Sequence, residues 1–262
     1  MSALGIIGIY DERLENIVQD KLIGRNPILE ALKAGTAIDK IFVKKDADGS
    51  LVPIIKRARS AGVPISEVDR RRLDTMAEGE NHQGIIAYIP VQEYKTVEDI
   101  LEIARSKGKV PFIVILDKIT DPHNLGSIIR SANCAGADGV IIPKHSSAGL
   151  NAAAVKTASG AAAYTPVARV TNISRTIDEL KEQGLWIIGA DMDAPAMYDV
   201  DMTGAIGLVI GSEGEGISQL VRKKCDLMVK IPMWGEINSL NASVAAAVLM
   251  YESRRQQMLK EG

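Results

Sequence analysis

The chain has 262 residues, 46% of them apolar and 24% charged, which suits a soluble globular protein of one large domain or two modest ones. Its formal net charge is −2 and only 4% of residues are aromatic, so a nucleic-acid partner would be gripped by local charge and main chain, not by a stacking platform. The two cysteines make no metal or redox spacing, no apolar run is long enough to span a bilayer, and the first twenty or so residues lack the basic flank of a secretory signal. A cytoplasmic protein with no membrane and no DNA partner is therefore expected.

Residues 1–21 carry no readable role. From there, Asn26 and Pro27 predict a helix start, with the helix over 28–33 closed by Gly35. The run IDKIFVK (38–44) is β-branched and predicts a strand; 51–61 has helical spacing with Pro53 in its first turn. A strand over 63–68, a short helix over 71–77 and a strand over 84–89 complete a small α/β domain, 22–90. Residues 91–111 read as a connector holding an amphipathic helix within 94–105.

From 112 to 262 the pattern changes. The runs 113–116, 140–142, 186–188, 206–210 and 227–231 are almost wholly apolar and alternate with helical segments over 125–135, 152–159, 173–183, 217–224 and 239–254. Strands buried on both faces and separated by helices predict a parallel sheet covered on both sides. In such sheets ligands sit beyond the carboxyl ends of the strands, so the loops there are where chemistry is expected.

Three of those loops stand out. The first carries Asn124 at a helix start and Arg130 six residues on; read locally, one is a cap and the other a surface cation. The second, GSEGEGIS, follows the strand at 206–210. Its glycine spacing matches neither the dinucleotide fingerprint nor the phosphate-cradling loop. Glu213 and Glu215 suit a cationic ligand better than a pyrophosphate. The third turns through Pro232 and Gly235 into a helix with Asn238, Ser239 and Asn241 as candidate caps. The small-residue run 242–249 suits close packing against another element or subunit. Basic clusters at 56–59, 70–72, 222–224 and 254–255 read singly as solvated helix faces, though their number leaves room for a basic surface.

Together the three loops resemble the SpoU branch of the SPOUT RNA methyltransferases. Asn124 through Arg130 to Gly136 matches the first motif, LVIGSEGEGIS (208–218) the second and IPMWGEINSLNASV (231–244) the third. Gly24-Arg25-Asn26-Pro27, IDKIFVKK and His82-Gln83-Gly84 are similar to the domain that precedes many of these enzymes and resembles ribosomal protein L30e. The resemblance implies an α/β fold, a small L30e-like domain followed by a SPOUT-type parallel sheet with a deep trefoil knot. It implies S-adenosylmethionine as cofactor and methylation of a ribose 2′-hydroxyl in RNA, foremost a guanosine of 23S ribosomal RNA. Transfer RNA as substrate, or a non-catalytic RNA-binding protein, are the alternatives. A homodimer is implied, each active site completed by the partner.

By the same matching, main-chain groups at Gly211, Ile231 and Leu240 would hold the cofactor, with the strand end at Gly189-Ala190 lining the pocket. Asn124, Arg130, Glu213, Ser239 and Asn241 would form the catalytic set. A guanidinium keeps its proton far above neutral pH, so Arg130 is expected to fork onto the RNA phosphate near the target ribose and not to act as a base. Glu213 is expected to orient Arg130 or Asn124, or to stabilise a helix N-terminus. His123 is expected to be a loop histidine, and His82 to serve RNA binding or domain packing.

Overall fold

The computed structural model describes residues 21–45, 49–90 and 92–261; the reading of residues 1–20 lies outside them. Two units divide between Val91 and Gln92.

The first unit runs β1 (Lys21–Ile23), α1 (Arg25–Ala34), β2 (Lys40–Lys44), α2 (Val52–Ser60), β3 (Ile65–Val68), α3 (Arg70–Ala77) and β4 (Ile85–Tyr88). The sheet order is β1-β4-β2-β3; β2 and β3 are parallel and the other pairs antiparallel. α1 and α2 cover one face through Ile28, Leu32, Ile54 and Ala58, and α3 covers the other through Leu73 and Ala77. The helix expected over 28–33 begins at Arg25, so Asn26 lies inside it and Pro27 sits in the first turn, where its missing N–H has no partner to lose. His82 is buried, and both ring nitrogens are engaged within the unit. Nδ1 accepts from Gly84 N (2.9 Å), so Nε2 carries the proton and donates to Asp74 Oδ1 (2.9 Å). Its role there is packing the turn that precedes β4.

The second unit starts with α4 (Val97–Ser106), which lies in the stretch expected to be a connector; a Thr96–Asp99 capping box opens it. Then follow β5 (Phe112–Leu116), α5 (Pro122–Cys134), β6 (Gly139–Pro143), α6 (Ala152–Thr157), β7 (Val167–Val170), α7 (Ile173–Glu182), β8 (Trp186–Ala190), β9 (Ile206–Ile210), α8 (Gln219–Arg222), β10 (Leu227–Val229) and α9 (Ala242–Glu261). The six strands are all parallel, in the order β10-β8-β9-β5-β6-β7. Every residue of β5 and β9 is buried, as their unbroken apolar runs require. One face packs on α5, α6 and α9. The other packs on α4, α7 and α8, with Ile100 and Leu101 bringing α4 into that core.

α5 packs closely on both α6 and α9. A Cβ on Gly126 would lie 2.4 Å from Ala154 O and 2.7 Å from Thr157 Cβ, so only glycine lets α6 approach. On the α9 side, Ala242, Ala246, Leu249 and Met250 are buried in the shared core, so the small-residue run packs within the chain. At the far end, Arg254 donates from Nη2 to Gly136 O (2.6 Å) and from Nε to Ala135 O (2.5 Å), capping α5 with a cation where its dipole is negative. Arg255 pairs with Glu252 (2.8 Å) and Lys224 with Asp178 (2.7 Å), so these members of the basic clusters are engaged by carboxylates of the same chain at the surface.

Candidate functional site

The chain runs outward from β5 to β6 and β7, crosses to β8 on the far side, and returns with β9 beside β5. The order therefore reverses between β5 and β9, and the loops leaving those two strands diverge to make a crevice at the carboxyl edge.

The loop after β9 is a closed turn. Ser212 N donates to Gly216 O (3.1 Å) and Gly216 N returns to Ser212 O (3.0 Å). A Cβ on Gly211 would sit 2.1 Å from Gly216 C, so the turn itself demands glycine there. Two ties anchor it to the loop after β5. Buried Asp117 accepts from Ser218 N (2.7 Å), and Lys118 pairs with Glu215 (2.9 Å), which holds the Glu215 carboxylate below its ordinary pKa and the ammonium above its own.

The turn presents Glu213 to two asparagines. Asn124 Nδ2 donates to Glu213 Oε1 (2.9 Å), Asn241 Nδ2 donates to Asn124 Oδ1 (2.9 Å) and also to Glu213 Oε1, and Ala242 N donates to that same oxygen (3.3 Å). Three of the five catalytic candidates, from three separate loops, thus form one polar cluster. Asn124 can join because it is not the cap of α5: Asp121 caps that helix, accepting from His123 N (3.0 Å), and Asn124 is left to point outward from the first turn. Asn241, not Asn238 or Ser239, caps α9, its Oδ1 accepting from Ser243 N (3.0 Å) and Val244 N (3.3 Å). Glu213 thus accepts both from Asn124 and from the first N–H of α9.

Arg130 and Ser239 do not join the cluster. Arg130 lies on α5 about 9 Å further along the axis and roughly 120° around from Asn124 by helix geometry. It is exposed and makes no hydrogen bond or ion pair among the described residues. Ser239 is likewise exposed. His123 points its Nδ1 at Thr157 Oγ1 (3.1 Å), bridging α5 to α6.

Residues 231–240 connect β10 to α9. Among the described residues they make no main-chain hydrogen bond, which leaves their polar main-chain groups open to a ligand. Ile231 is half-buried against the core, while Leu240 is 37% and Trp234 85% exposed. Gly211 stands at the neighbouring strand end, and Gly189 fits tightly at β8, where a Cβ would meet Met228 Sδ at 2.8 Å. An open main chain beside half-buried apolar side chains and the carboxylates of Glu213 and Glu215 fits a ligand with an apolar body, hydrogen-bonding edges and positive charge. Asp117 and Lys118 went unnoticed in the sequence, although an acid directly after a buried strand is the signal that marks the first. Among the described residues no group of three or more His, Cys, Asp and Glu is placed to hold a metal ion.

Comparison with known proteins gives this arrangement a family. Residues 111–251 match the model of the SpoU rRNA methylase family, and residues 21–95 that of the RNA 2′-O ribose methyltransferase substrate-binding domain. A Bacillus subtilis (strain 168) protein assigned to the TrmH family of tRNA/rRNA methyltransferases, YacO, is 42% identical over 240 residues, covering 91% of this chain and 96% of its own. Among solved structures, the SpoU methyltransferase AviRb from Streptomyces viridochromogenes, in complex with the cofactor AdoMet, aligns with a TM-score of 0.58 at 25% identity over 92% of this chain and 91% of its own. The TrmH/SpoU tRNA modifying enzyme of A. aeolicus aligns at 0.54 and 25% identity over 63% of this chain and 85% of its own. The chain belongs to the SpoU rRNA methylase family.

Proposed function

We propose that this chain transfers the methyl group of S-adenosylmethionine to the 2′-hydroxyl of a ribose in RNA, that its target is a guanosine of large-subunit ribosomal RNA, and that it works in the cytoplasm as a homodimer. The observation that carries the reading is the meeting of Asn124, Glu213 and Asn241 at the β5/β9 crevice, on the edge that also bears the unpaired main chain of 231–240. The match of the first unit to a 2′-O ribose methyltransferase substrate-binding domain supports ribose and RNA.

When bound, the cofactor supplies an electrophilic methyl carbon on a positively charged sulfur. Main-chain groups at Gly211, Ile231 and Leu240 hold it, and Glu213 and Glu215 make that edge hospitable to the sulfonium. Glu213 fixes the Asn124 and Asn241 amides, so the ribose meets donors and acceptors already in place. Arg130 forks onto the phosphate beside the target ribose and favours the ionised 2′-oxygen through its charge. Its position away from the polar cluster suits a site completed across a dimer. Val244, Tyr251 and Met258 recur every seven residues along α9 and are all exposed, a stripe that a second copy of this chain would cover.

Mass spectrometry of ribosomal and transfer RNA from a strain lacking the protein tests the substrate. The expected result is loss of one 2′-O-methylguanosine from large-subunit RNA. Loss from transfer RNA instead would move the target there, and an unchanged ribose-methyl pattern in both would overturn the reading.

A further inference from the structure

The carboxyl edge of the six-stranded sheet is divided by charge. The loops leaving β8, β9 and β10 carry Asp191, Asp193, Glu213, Glu215 and Glu236 against Lys230, and Arg222, at the end of α8, pairs with Asp191. The ends of β6 and β7 and the loops that leave them differ: residues 143–151 and 169–172 contain Lys144, His145 and, within β7, Arg169, and no carboxylate at all. The division falls at the β5/β9 crevice. A cationic cofactor suits the first half, and a polyanion suits the second.

The basic half is also built. Arg169 lies with its guanidinium carbon 5.3 Å from the centre of the Tyr94 ring and donates from Nη2 to Lys144 O (3.1 Å). Tyr94 Oη in turn accepts from Leu150 N (2.9 Å) at the other end of the loop. Lys144 N donates to Val170 O (2.7 Å), while Ala148 N and Ser147 Oγ donate to Ile119 O (2.7 and 3.1 Å), joining this loop to the one that leads to Asn124. The loop is thus held at both ends and along its length. Yet His145 is exposed and Lys144 half-exposed, and neither side chain has a partner among the described residues. Lys118, Lys224, Arg254 and Arg255 are all engaged in internal ties, whereas the Lys144 ammonium and the His145 ring stand uncommitted on a braced, carboxylate-free loop.

We propose that the β6 and β7 loops, through Lys144 and His145, hold the phosphate backbone of the RNA strand flanking the target nucleoside, so that the strand leaves the crevice over β6 and β7. This rests on the reading of the chain as an RNA methyltransferase. Arg169 serves as a positioning residue, setting Lys144 through its main-chain oxygen.

The test uses the full-length protein and a short mixed-sequence single-stranded RNA, with Kd measured across a salt series. Lys144→Glu should weaken RNA binding about 10-fold at low salt, equally for every sequence, and flatten the salt slope by about 0.7 for each phosphate no longer neutralised. Lys109→Glu makes the same charge change at the opposite edge of the sheet, just before β5, and should alter Kd less than about twofold. Calorimetry with S-adenosylmethionine should show unchanged cofactor affinity in both. Equal losses in the two variants, or no loss in either, overturn the proposal. Should Lys144→Glu also disturb cofactor binding, the double variant Lys144→Gln/His145→Gln decides by the same readouts. Wild-type protein that binds cofactor but no RNA would overturn the proposed function itself; wild-type RNA binding with an unaffected Lys144→Glu variant would overturn this surface alone.

Discussion

The turn at 211–217 and the segment at 231–240 lie on one edge of one sheet, yet they spend their hydrogen bonds in opposite ways. The turn closes on itself, ties down to Asp117 and Lys118, and gives one carboxylate oxygen to three donors. The segment makes no main-chain hydrogen bond among the described residues. The contrast separates positioning from recognition: a part that must hold geometry saturates its own polar groups, and a part that must bind a ligand leaves them open.

Gly211→Ala should have the largest effect. A methyl group 2.1 Å from Gly216 C forces the turn open. Overpacking of this kind costs about 1–3 kcal/mol or more, and calorimetry should show S-adenosylmethionine binding weakened at least about tenfold. Unaltered affinity would mean the turn is not part of the frame. Glu213→Ala comes next: three donors lose their acceptor. At about 1–3 kcal/mol for stranded polar groups, kcat/KM should drop about 10- to 100-fold, while cofactor affinity changes less than in Gly211→Ala. If affinity falls more than turnover does, Glu213 belongs to recognition instead.

Arg130→Lys keeps the charge and loses the planar fork, so kcat/KM should fall about tenfold with cofactor affinity intact. Near-wild-type turnover would show that fork geometry is not needed. The smallest effect is expected at Asp201, which meets the last turns of α9. Lys260 (2.8 Å) and then Thr203 hold its carboxyl at about 2, below the ordinary 3.8. A lowered carboxylate pKa stabilises the fold above pH 4, and that stability is lost as pH falls toward 2. Because the pair is exposed, no more than about 1 kcal/mol is at stake. Asp201→Asn should flatten thermal stability over that window and leave cofactor binding untouched, which confines the contrast to the site.

Five of the six strands of the second unit were legible because fully buried strands such as β5 and β9 must be apolar throughout, whereas β7, interrupted by Arg169 and half-buried at its end, was not. The first unit was harder at its margins. β1 is three residues long and owes its existence to antiparallel pairing with β4, some sixty positions away, which no local pattern reveals. One helix start misled for a related reason: Asn124 looks like the cap of α5 because its side chain can cap, but Asp121 does so, while at α9 the cap is Asn241, one of the three candidates the sequence offered. The three motif loops pointed to the right neighbourhood. The bonds among them were not readable, since each joins residues at least 28 positions apart.

α5 and α9 run side by side, fastened at two points. One fastening is the Asn124–Asn241 bond; the other, some three turns along α5, is Arg254 on the Ala135 and Gly136 carbonyls just past its end. Two parallel rods pinned at both ends cannot slide: a shift of one residue, about 1.5 Å, would break both pins together. The spacing between the first and third motifs is thereby gauged from roughly 20 Å away, and a lesion at Arg254 would blur the register of the crevice without touching anything that reacts.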